Sequence, residues 1–384
     1  EGGERMGSFK MTTKIYSGSN ATTYLKDCRC QRALVICDPF IVISGMINKV
    51  TSILSEANSS YQIFSEIVPD PTIEVVTKGV AYAADFQPDT IIALGGGSAL
   101  DTAKAVRQIY QQAGIESAVQ LICIPTTSGT GSEVTSFAVI SDPSVNGKYA
   151  LVDDAMIPDI AILDPVFTLT VPSSVTADTG IDVLTHTLEA YVSTNATDFT
   201  DACGEKAMRI VWQDLAKAVA DGEDAQRRER VHNASCLAGM AFSEASLGIC
   251  HSLAHALGGR FHIPHGRANA ILLPHVISFN AGIESNQDLP ALSKYAEAAN
   301  LLGICSTTER TTVNLLIAGI QKLTRKLDIP KFVTDLGINE DAFIAAIPEM
   351  AEAALKDKCT LTNPRQVTVA DLAGIYARIC RGEC

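Results

Sequence analysis

Short, uninterrupted apolar segments alternate with segments of helical periodicity in the first part of this 384-residue chain. The apolar segments are Ala33–Asp38, Thr90–Gly95 and Leu121–Pro125, and their length is typical of strands buried on both faces. Between them, residues 73–85 and 98–112 have apolar side chains at helical spacing. This alternation predicts an α/β domain built on a doubly wound, mostly parallel, Rossmann-like sheet.

Two further apolar segments, Phe137–Ser141 and Ile160–Leu163, are predicted to add strands at the far end of that sheet. After the turn signal Pro172-Ser-Ser the composition becomes rich in Ala and Leu with helical periodicity, as in residues 207–219, 230–245 and 292–302. The sequence therefore predicts two domains, an α/β domain of residues 1–172 and an all-α domain of residues 173–384.

The net charge indicates which binding partners are unfavourable, and the cysteine content indicates the cellular compartment. The formal net charge of −13 argues against nucleic acid or an anionic membrane as a partner. No apolar stretch approaches 18 residues, and the N-terminal residues lack the features of a signal peptide. Eleven cysteines without a CxxC motif are typical of free thiols in a reducing compartment. We therefore expect a cytoplasmic protein without a membrane span.

A glycine-rich turn, Gly95-Gly-Gly-Ser-Ala-Leu-Asp-Thr-Ala-Lys104, follows a predicted strand and begins a predicted helix. Glycines at a helix N-terminus allow an anion such as a phosphate to approach the backbone. The alternative is a tight packing turn in which Ser98 caps the helix and Asp101 is the acidic third residue. The spacing is not GxGxxG, so the usual dinucleotide fingerprint is absent.

Two neighbouring polar features support a ligand at this end of the sheet. Asp38 ends the first strong strand, where a carboxylate could bind a ribose and repel a 2′-phosphate; capping of a helix is the alternative. The hydroxyl-rich segment Pro125–Glu133 also follows a strand directly and could line a polar ligand or form an ordinary connection.

Six of the seven histidines lie between residues 186 and 265. Asp182 and His186 share a helical face, as do His251 and His255, and His265 follows in a predicted loop. A single histidine, such as His232 or His275, is more often a core or surface residue. Several imidazoles together with one carboxylate instead predict a transition-metal site. Since no cysteine has zinc-finger spacing, we expect an open, catalytic site.

Four ordered motifs together resemble those of the iron-dependent (group III) alcohol dehydrogenases, and the resemblance spans residues 13–380. The motifs are Gly95–Lys104, Pro125–Glu133, Thr179–Tyr191 and His251–Gly266. Within this family the sequence is most similar to the 1-propanol dehydrogenases of propanediol-utilising microcompartments. The resemblance implies an N-terminal dinucleotide-binding domain, a C-terminal helical domain, an active site in the cleft between them, and NAD(H) with Fe(II), or alternatively Zn(II), as cofactors.

The resemblance also implies roles for individual residues. The metal ligands would be Asp182, His186, His251 and His265, and His255 would act near the nicotinamide and substrate. The cofactor would contact Asp38, Gly96, Gly97, Ser98, Asp101, Thr126, Thr127, Thr130 and Lys148. Phe137 and Phe242 would line the substrate pocket. Because lactaldehyde and propanediol reductases of the family have an asparagine at the position of Phe137, the two aromatic residues together predict an unbranched, non-hydroxylated substrate. The alternative is that Phe137 only packs in the interdomain core.

The resulting functional prediction is a metal-dependent, NAD(H)-linked alcohol dehydrogenase that interconverts short-chain aldehydes and primary alcohols. Propanal with 1-propanol and ethanal with ethanol are the expected pairs. The alternatives are a polyol or lactaldehyde/propanediol oxidoreductase of the same family, or a lyase similar to dehydroquinate synthase. The resemblance further implies a homodimer or larger oligomer, with microcompartment shell proteins as candidate partners and the microcompartment as a candidate location.

Overall fold

The computed structural model describes residues 8–114, 118–142, 147–285 and 287–380. Contacts divide the chain into two compact units. The sheet unit comprises Met11–Val171 and Glu223–Gly239, and the helical unit comprises Glu1–Lys10, Pro172–Gly222 and Met240–Cys384. The assignment of cofactor binding to residues 1–172 and of catalysis to residues 173–384 stays a prediction, and residues 223–239 pack with the sheet unit.

Six strands form one sheet in the order β1-β8-β5-β4-β2-β3, and every pairing described in it is parallel. The strands of the chain are β1 (Lys14–Ser17), β2 (Arg32–Cys37), β3 (Ser60–Phe64), β4 (Thr90–Gly95), β5 (Gln120–Pro125), β6 (Phe137–Asp142), β7 (Gly147–Val152) and β8 (Ile160–Leu163). The three apolar segments used for the prediction are β2, β4 and β5, and they lie next to one another inside the sheet.

The central strands are buried on both faces. On β2, Leu34 and Ile36 join one apolar core, which contains side chains of α3 (Ile73–Phe86) and α4 (Gly97–Gln112). Val35 of the same strand joins the other core, on the opposite face, with α1 (Pro39–Ile43) and α2 (Asn48–Glu56). Helices on both faces of a parallel sheet require apolar residues at every position of the inner strands, which explains the uninterrupted apolar segments.

The two late strands differ from the prediction. β6 pairs with β7 in a separate antiparallel, two-stranded sheet and does not extend the main sheet. β8 does join the main sheet, but it lies between β5 and β1 and is not the edge. The first strand, β1, takes the edge position, and its partly exposed residues gave no buried-strand signal in the sequence.

The regular secondary structure that the described chain forms after β8 is helical. Its helices are α5 (Ser173–Val192), α6 (Asp198–Ala220), α7 (Ala225–Ala245), α8 (Ile249–Phe261), α9 (His265–Ala281), α10 (Ala291–Leu301), α11 (Glu309–Lys326), α12 (Glu340–Lys356) and α13 (Val369–Arg378). Short 3-10 helices occur at Ala21–Lys26, Ser132–Val134, Asp154–Met156, Pro165–Phe167, Val333–Leu336 and Lys358–Thr362. After β8, no further strand is found in the described residues. The predicted fold class is therefore confirmed.

α5 is the central helix of the helical unit. It is buried along nearly its whole length and packs against α6 and α9, while α8 packs against α9 and α12. No helix within the described ranges combines the length and the apolar character needed to cross a bilayer.

Candidate metal centre and nucleotide-binding turn

Three helices of the helical unit bring one carboxylate and three imidazoles together. Asp182 and His186 are one turn apart on α5, His251 lies in the first turn of α8, and His265 is the first residue of α9. One donor atom from each of the four lies within 4.8 Å of the others. His265 was predicted in a loop, but it is the first residue of α9, with Pro264 as the N-cap.

The three histidine rings surround the Asp182 carboxylate at distances longer than a hydrogen bond. Asp182 Oδ1 lies 3.6 Å from Nε2 of His251 and 3.6 Å from Nε2 of His265, and Oδ2 lies 3.9 Å from Nε2 of His186. His186 Nδ1 and His251 Nε2 are buried and have no hydrogen-bond partner among the described residues. Buried unpaired nitrogens are costly. The set of three nitrogens and one carboxylate oxygen fits a divalent transition ion, Fe(II) or Zn(II).

The charges in this cluster oppose one another. Burial lowers the pKa of His186 to about 3, so that its imidazole is neutral and able to donate an electron pair. Burial acts against ionisation of Asp182 as well, but the neighbouring histidines lower the pKa of its carboxyl well below the usual value. His251 is also buried, yet Asp182 and Glu189 raise its pKa to about 9. The cluster therefore holds one carboxylate ionised among imidazoles.

Glu189 is a residue of this site that the sequence interpretation missed. It lies on α5 two turns beyond Asp182 and is 2% exposed. Its Oε2 accepts from His251 Nδ1 at 2.6 Å and from the His251 backbone N–H at 3.3 Å, while Oε1 accepts from the Cys250 N–H at 2.7 Å. Glu189 therefore caps α8 and fixes the ring of His251. Histidines that bind a metal commonly donate their other ring N–H to a carboxylate in this way.

Asn269 supports the same cluster from α9. Its amide Nδ2 donates to Asp182 Oδ1 at 2.8 Å and lies 3.2 Å from His265 Nε2. An amide on the following turn from His265 thus fixes the orientation of the Asp182 carboxylate.

The predicted catalytic and pocket residues of the helical unit lie against the cluster. The His255 ring stacks on that of His265, with centroids 5.3 Å apart, and its Nδ1 lies 2.8 Å from Asp357 Oδ2. The His255 side chain is 45% exposed. Phe242 stacks on His186, with centroids 4.5 Å apart, so it gives the cluster an apolar wall.

In the sheet unit, the glycine-rich turn joins β4 to α4 at the carboxyl edge of the sheet. Gly96 is the N-cap of α4, so Ser98 lies inside the first turn and does not cap the helix. A Cβ on Gly97 would lie 2.8 Å from Thr130 Cγ2, and one on Gly96 would lie 3.3 Å from Thr127 Oγ1. Glycine thus allows the two threonines to pack directly against the helix N-terminus, whose free backbone N–H groups suit a pyrophosphate.

Asp38 lies at the same edge of the sheet. It caps α1, since its Oδ1 accepts from the Ile41 N–H at 3.2 Å. Its Oδ2 is directed toward the glycine-rich turn, because a Cβ on Gly95 would come within 3.5 Å of it. Asp38 therefore caps α1 through one carboxylate oxygen, while its other oxygen lies near the turn where a nucleotide is predicted to bind.

Asp101 and Lys104 of α4 hold the segment that follows β5. Both carboxylate oxygens of Asp101 accept hydrogen bonds, from Ser132 Oγ at 2.6 Å and from the Val139 N–H at 2.9 Å. The fully buried ammonium group of Lys104 donates to the carbonyls of Thr135 (2.9 Å) and Phe137 (2.8 Å). The structure thus gives Asp101 an internal partner for each oxygen, and its cofactor role stays a prediction. Lys104 was not singled out by the sequence interpretation.

The hydroxyl-rich segment is also anchored to α7. Ser128 Oγ lies 2.9 Å from Nδ1 of His232, which is buried. Gly131 has a φ of +61°, and a Cβ there would lie 2.6 Å from the Cα of Gly239. Burial lowers the pKa of His232 to about 4, which makes it a neutral core residue. His232 is thus a buried core histidine with a side-chain hydrogen-bond partner.

The remaining predicted residues of the sheet unit are placed as follows. Thr126 is buried, and its N–H donates to the Gly95 carbonyl at 2.9 Å, which joins the hydroxyl-rich segment to the glycine-rich turn. Phe137 is half-buried at the start of β6. Lys148 lies on β7, but its side chain is outside the described residues.

Comparison with known proteins identifies the family to which this fold and donor set belong. The profile of the iron-containing alcohol dehydrogenases matches residues 12–165, and that of the C-terminal part of the same family matches residues 176–380. The chain belongs to the iron-containing alcohol dehydrogenase family.

Individual relatives agree with this assignment. The chain is 48% identical over 372 residues to a 1-propanol dehydrogenase, PduQ, of Citrobacter freundii, covering 96% of this chain and 98% of that protein. It resembles the crystal structure of a 1,3-propanediol oxidoreductase with a TM-score of 0.90 and 34% identity, covering 98% of this chain and 100% of that one. An iron-containing alcohol dehydrogenase from Thermococcus thioreducens has a TM-score of 0.89 and 31% identity, with 98% and 100% covered.

These comparisons confirm the predicted enzyme class. The protein is an oxidoreductase that acts on alcohols, and the family to which it belongs uses iron and NAD(H). Membership of this family favours the alcohol dehydrogenase prediction over the alternative of a lyase similar to dehydroquinate synthase.

Proposed function

We propose that this enzyme uses NADH to reduce short, unbranched aldehydes, propanal or ethanal, to primary alcohols, and catalyses the reverse oxidation with NAD⁺. The observation that carries the proposal is the convergence of Asp182, His186, His251 and His265 within 4.8 Å in the core of the helical unit. Its substrate range is supported by the 48% identity to a 1-propanol dehydrogenase.

The four cluster residues would hold the metal ion. A divalent ion bound there supplies a Lewis acid that polarises a carbonyl oxygen and favours the alkoxide over the alcohol. Asp182 offers the negative charge of the donor set, and the neutral imidazole of His186 offers an unshared electron pair. Glu189 and Asn269 keep His251 and Asp182 in orientation through the hydrogen bonds described above.

His255 would move the proton. Asp357 Oδ2 would accept a hydrogen bond from His255 Nδ1, so Nδ1 would carry the proton of the neutral ring. Nε2 would then be the atom able to exchange a proton with the substrate oxygen, directly or through water. The half-exposed position of His255 gives that nitrogen a route to solvent. Asp357 acts as a positioning residue because it contacts His255 and fixes its tautomer.

The glycine-rich turn would bind the pyrophosphate of NAD(H). Backbone N–H groups at the start of α4 suit an anionic group, and Gly96 and Gly97 allow Thr127 and Thr130 to pack against that helix N-terminus. Ser98, Asp101, Thr126 and Lys148 keep their predicted cofactor roles as proposals. The Asp38 carboxylate would accept hydrogen bonds from the adenosine ribose and disfavour the 2′-phosphate of NADP(H).

Apolar side chains would select the substrate. Phe242 stacks against His186 beside the metal donors and offers no hydrogen bond to a substrate hydroxyl. Phe137 would act in the same way. An aldehyde without a second hydroxyl would therefore be preferred over lactaldehyde by a factor that reflects the missing hydrogen bond. The similarity to a 1,3-propanediol oxidoreductase keeps a diol substrate as a second candidate.

Reconstitution tests the proposal. Protein stripped of metal by chelation is given Fe(II) or Zn(II) without oxygen, and oxidation of NADH and NADPH is followed with propanal, ethanal, lactaldehyde and 3-hydroxypropanal. We expect turnover that requires metal and prefers NADH and the unsubstituted aldehydes. Asp38→Ala should raise the relative rate with NADPH, and His186→Ala should abolish metal-dependent turnover. Equal use of both cofactors by the unmodified enzyme would contradict the role of Asp38.

Two further proposals concern partners and location. A homodimer or larger assembly, and encapsulation with binding to microcompartment shell proteins, are supported by the similarity to a 1-propanol dehydrogenase and by the resemblance of the sequence motifs. Light scattering of the purified protein tests the first, and co-purification with co-expressed shell proteins tests the second. A monomer, or enzyme that stays separate from the shells, would contradict the respective proposal.

A further inference from the structure

A second group of metal-binding side chains lies beside the first in the helical unit. His255 of α8 lies close to Asp357, which ends α12, and to Cys359 in the following 3-10 helix. One donor atom from each of the three is within 4.8 Å of the others. None of the three belongs to the Asp182 cluster, and only this second group contains sulfur.

We propose that His255, Asp357 and Cys359 form a second metal site that takes thiophilic divalent ions such as Zn(II) and Cd(II), and that an ion bound there inhibits the enzyme. Binding of the ion is independent of the function proposed above. Inhibition rests on it, because it requires that His255 act in turnover.

The carboxylate of this group is already in position. Asp357 Oδ1 accepts from the Cys359 N–H at 2.8 Å, which fixes the carboxylate, and Oδ2 faces His255 Nδ1 at 2.8 Å. The Asp357 side chain is 22% exposed and that of His255 is 45% exposed, so an ion can enter from solvent. An ion would take the place of the shared proton between Nδ1 and Oδ2.

The donor distances require only a small closure. In tetrahedral zinc sites, bonds of about 2.0–2.1 Å to nitrogen or oxygen and about 2.3 Å to sulfur put donor atoms roughly 3.3–3.7 Å apart. The donor atoms lie within 4.8 Å of one another, so any separation needs to close by about 1 Å at most, and the 2.8 Å between His255 Nδ1 and Asp357 Oδ2 needs to open slightly. Three protein ligands leave a fourth position for water.

The bound state is electrically neutral. Binding releases the thiol proton of Cys359 to solvent and shifts the proton of the neutral His255 ring from Nδ1 to Nε2, while Asp357 enters as a carboxylate. A divalent ion with one thiolate and one carboxylate is then neutral overall, which suits a partly buried location. The donor types also separate the two sites, because the Asp182 cluster offers nitrogen and oxygen, whereas thiolate selects softer ions.

A sulfur-specific signal tests binding without any turnover. The chain is titrated with Cd(II) and the ultraviolet thiolate-to-cadmium charge-transfer absorption is recorded, together with the number of ions bound by equilibrium dialysis. We expect one cadmium–thiolate signal per chain and about two ions bound. Cys359→Ser should remove the signal and one of the two ions. The control is Cys305→Ser, which changes an exposed cysteine of the same unit and should leave both values unchanged.

Inhibition is then measured on the iron-loaded enzyme. Added Zn(II) should inhibit turnover, and Cys359→Ser should raise the inhibitory concentration at least about tenfold, as expected for the loss of a ligand, while Cys305→Ser should not. Absence of the cadmium–thiolate signal in the unmodified chain, or its persistence in Cys359→Ser, would overturn the site. A cadmium–thiolate signal without inhibition would overturn the inhibitory part and the role of His255, and leave the binding site standing.

Discussion

Replacing Glu189 by glutamine should weaken metal binding by about 10- to 100-fold. Glu189 Oε2 accepts both the His251 Nδ1–H at 2.6 Å and the His251 backbone N–H at 3.3 Å. Glutamine keeps one oxygen, suited to the Cys250 N–H, and turns an amide NH₂ toward His251. A hydrogen bond to a charged group contributes about 1.5–3 kcal/mol. At about 1.4 kcal/mol per tenfold change, this corresponds to the range measured for outer carboxylates of metal sites.

The assay is a titration of metal-free protein with Fe(II) or Zn(II) against a competing chelator, with Glu352→Gln as the control. Glu352 is an exposed glutamate on α12 of the same unit. Glu189→Ala is unsuitable as the main variant, because it also leaves two backbone donors of α8 without an acceptor. A dissociation constant for Glu189→Gln within about twofold of the unmodified chain would refute the assignment of Glu189 to the metal site.

Two other predictions concern the sheet unit. Gly131→Ala should destabilise the protein by about 1–3 kcal/mol, because the residue has a φ of +61° and a Cβ would overlap Gly239; chemical denaturation measures this, and unchanged stability would contradict the close approach. The unfolded chain protonates His232 near pH 6.5, before the folded chain does near pH 4, so stability should fall as the pH drops through that window, by about 2 kcal/mol between pH 7 and pH 5. His232→Asn, whose amide takes the position of Nδ1 and can still hydrogen bond Ser128, should lose that part of the pH dependence and no other; denaturation at both pH values tests this, and an unchanged slope would contradict it.

The inner part of the sheet was predictable because burial on both faces leaves a pattern that needs no context. β2, β4 and β5 agree with the predicted apolar segments to within a residue at each end. The edge strands were not predictable in that way. β3 has the sequence Ser-Tyr-Gln-Ile-Phe with only its last residue buried, so its strand conformation depends on pairing with β2.

The metal residues were recognisable from the types and spacing of side chains, whereas their supports were not. Asp182 and His186 share a helical face, and this spacing is visible in the sequence. Glu189 is seven residues from Asp182, which also puts it on that face, but its partner His251 is 62 residues away, and their contact is seen only in the folded chain. A helical projection of α5 that included buried acidic residues would have indicated it.

Polar residues inside the sheet unit show the same limit. Asp101 and Lys104 stand in a motif typical of nucleotide binding, so the sequence favoured a cofactor role for Asp101. The structure engages both side chains with the segment from Ser132 to Val139. The sequence does not show such internal partners, because a buried charge paired within the protein and one that contacts a ligand have the same sequence signature.

The order of segments along the chain has a consequence for synthesis in the cell. The sheet unit is interrupted, since residues 172–222 of the helical unit precede its last segment, residues 223–239. That segment carries the partners of the loop after β5, His232 for Ser128 and Gly239 for Gly131. At roughly 5–20 residues per second, a ribosome needs roughly 3–14 seconds to add residues 172–239. Until residues 223–239 are synthesised, the loop after β5 lacks these partners, although the first helices of the other unit have already been made. The two units therefore cannot fold strictly one after the other.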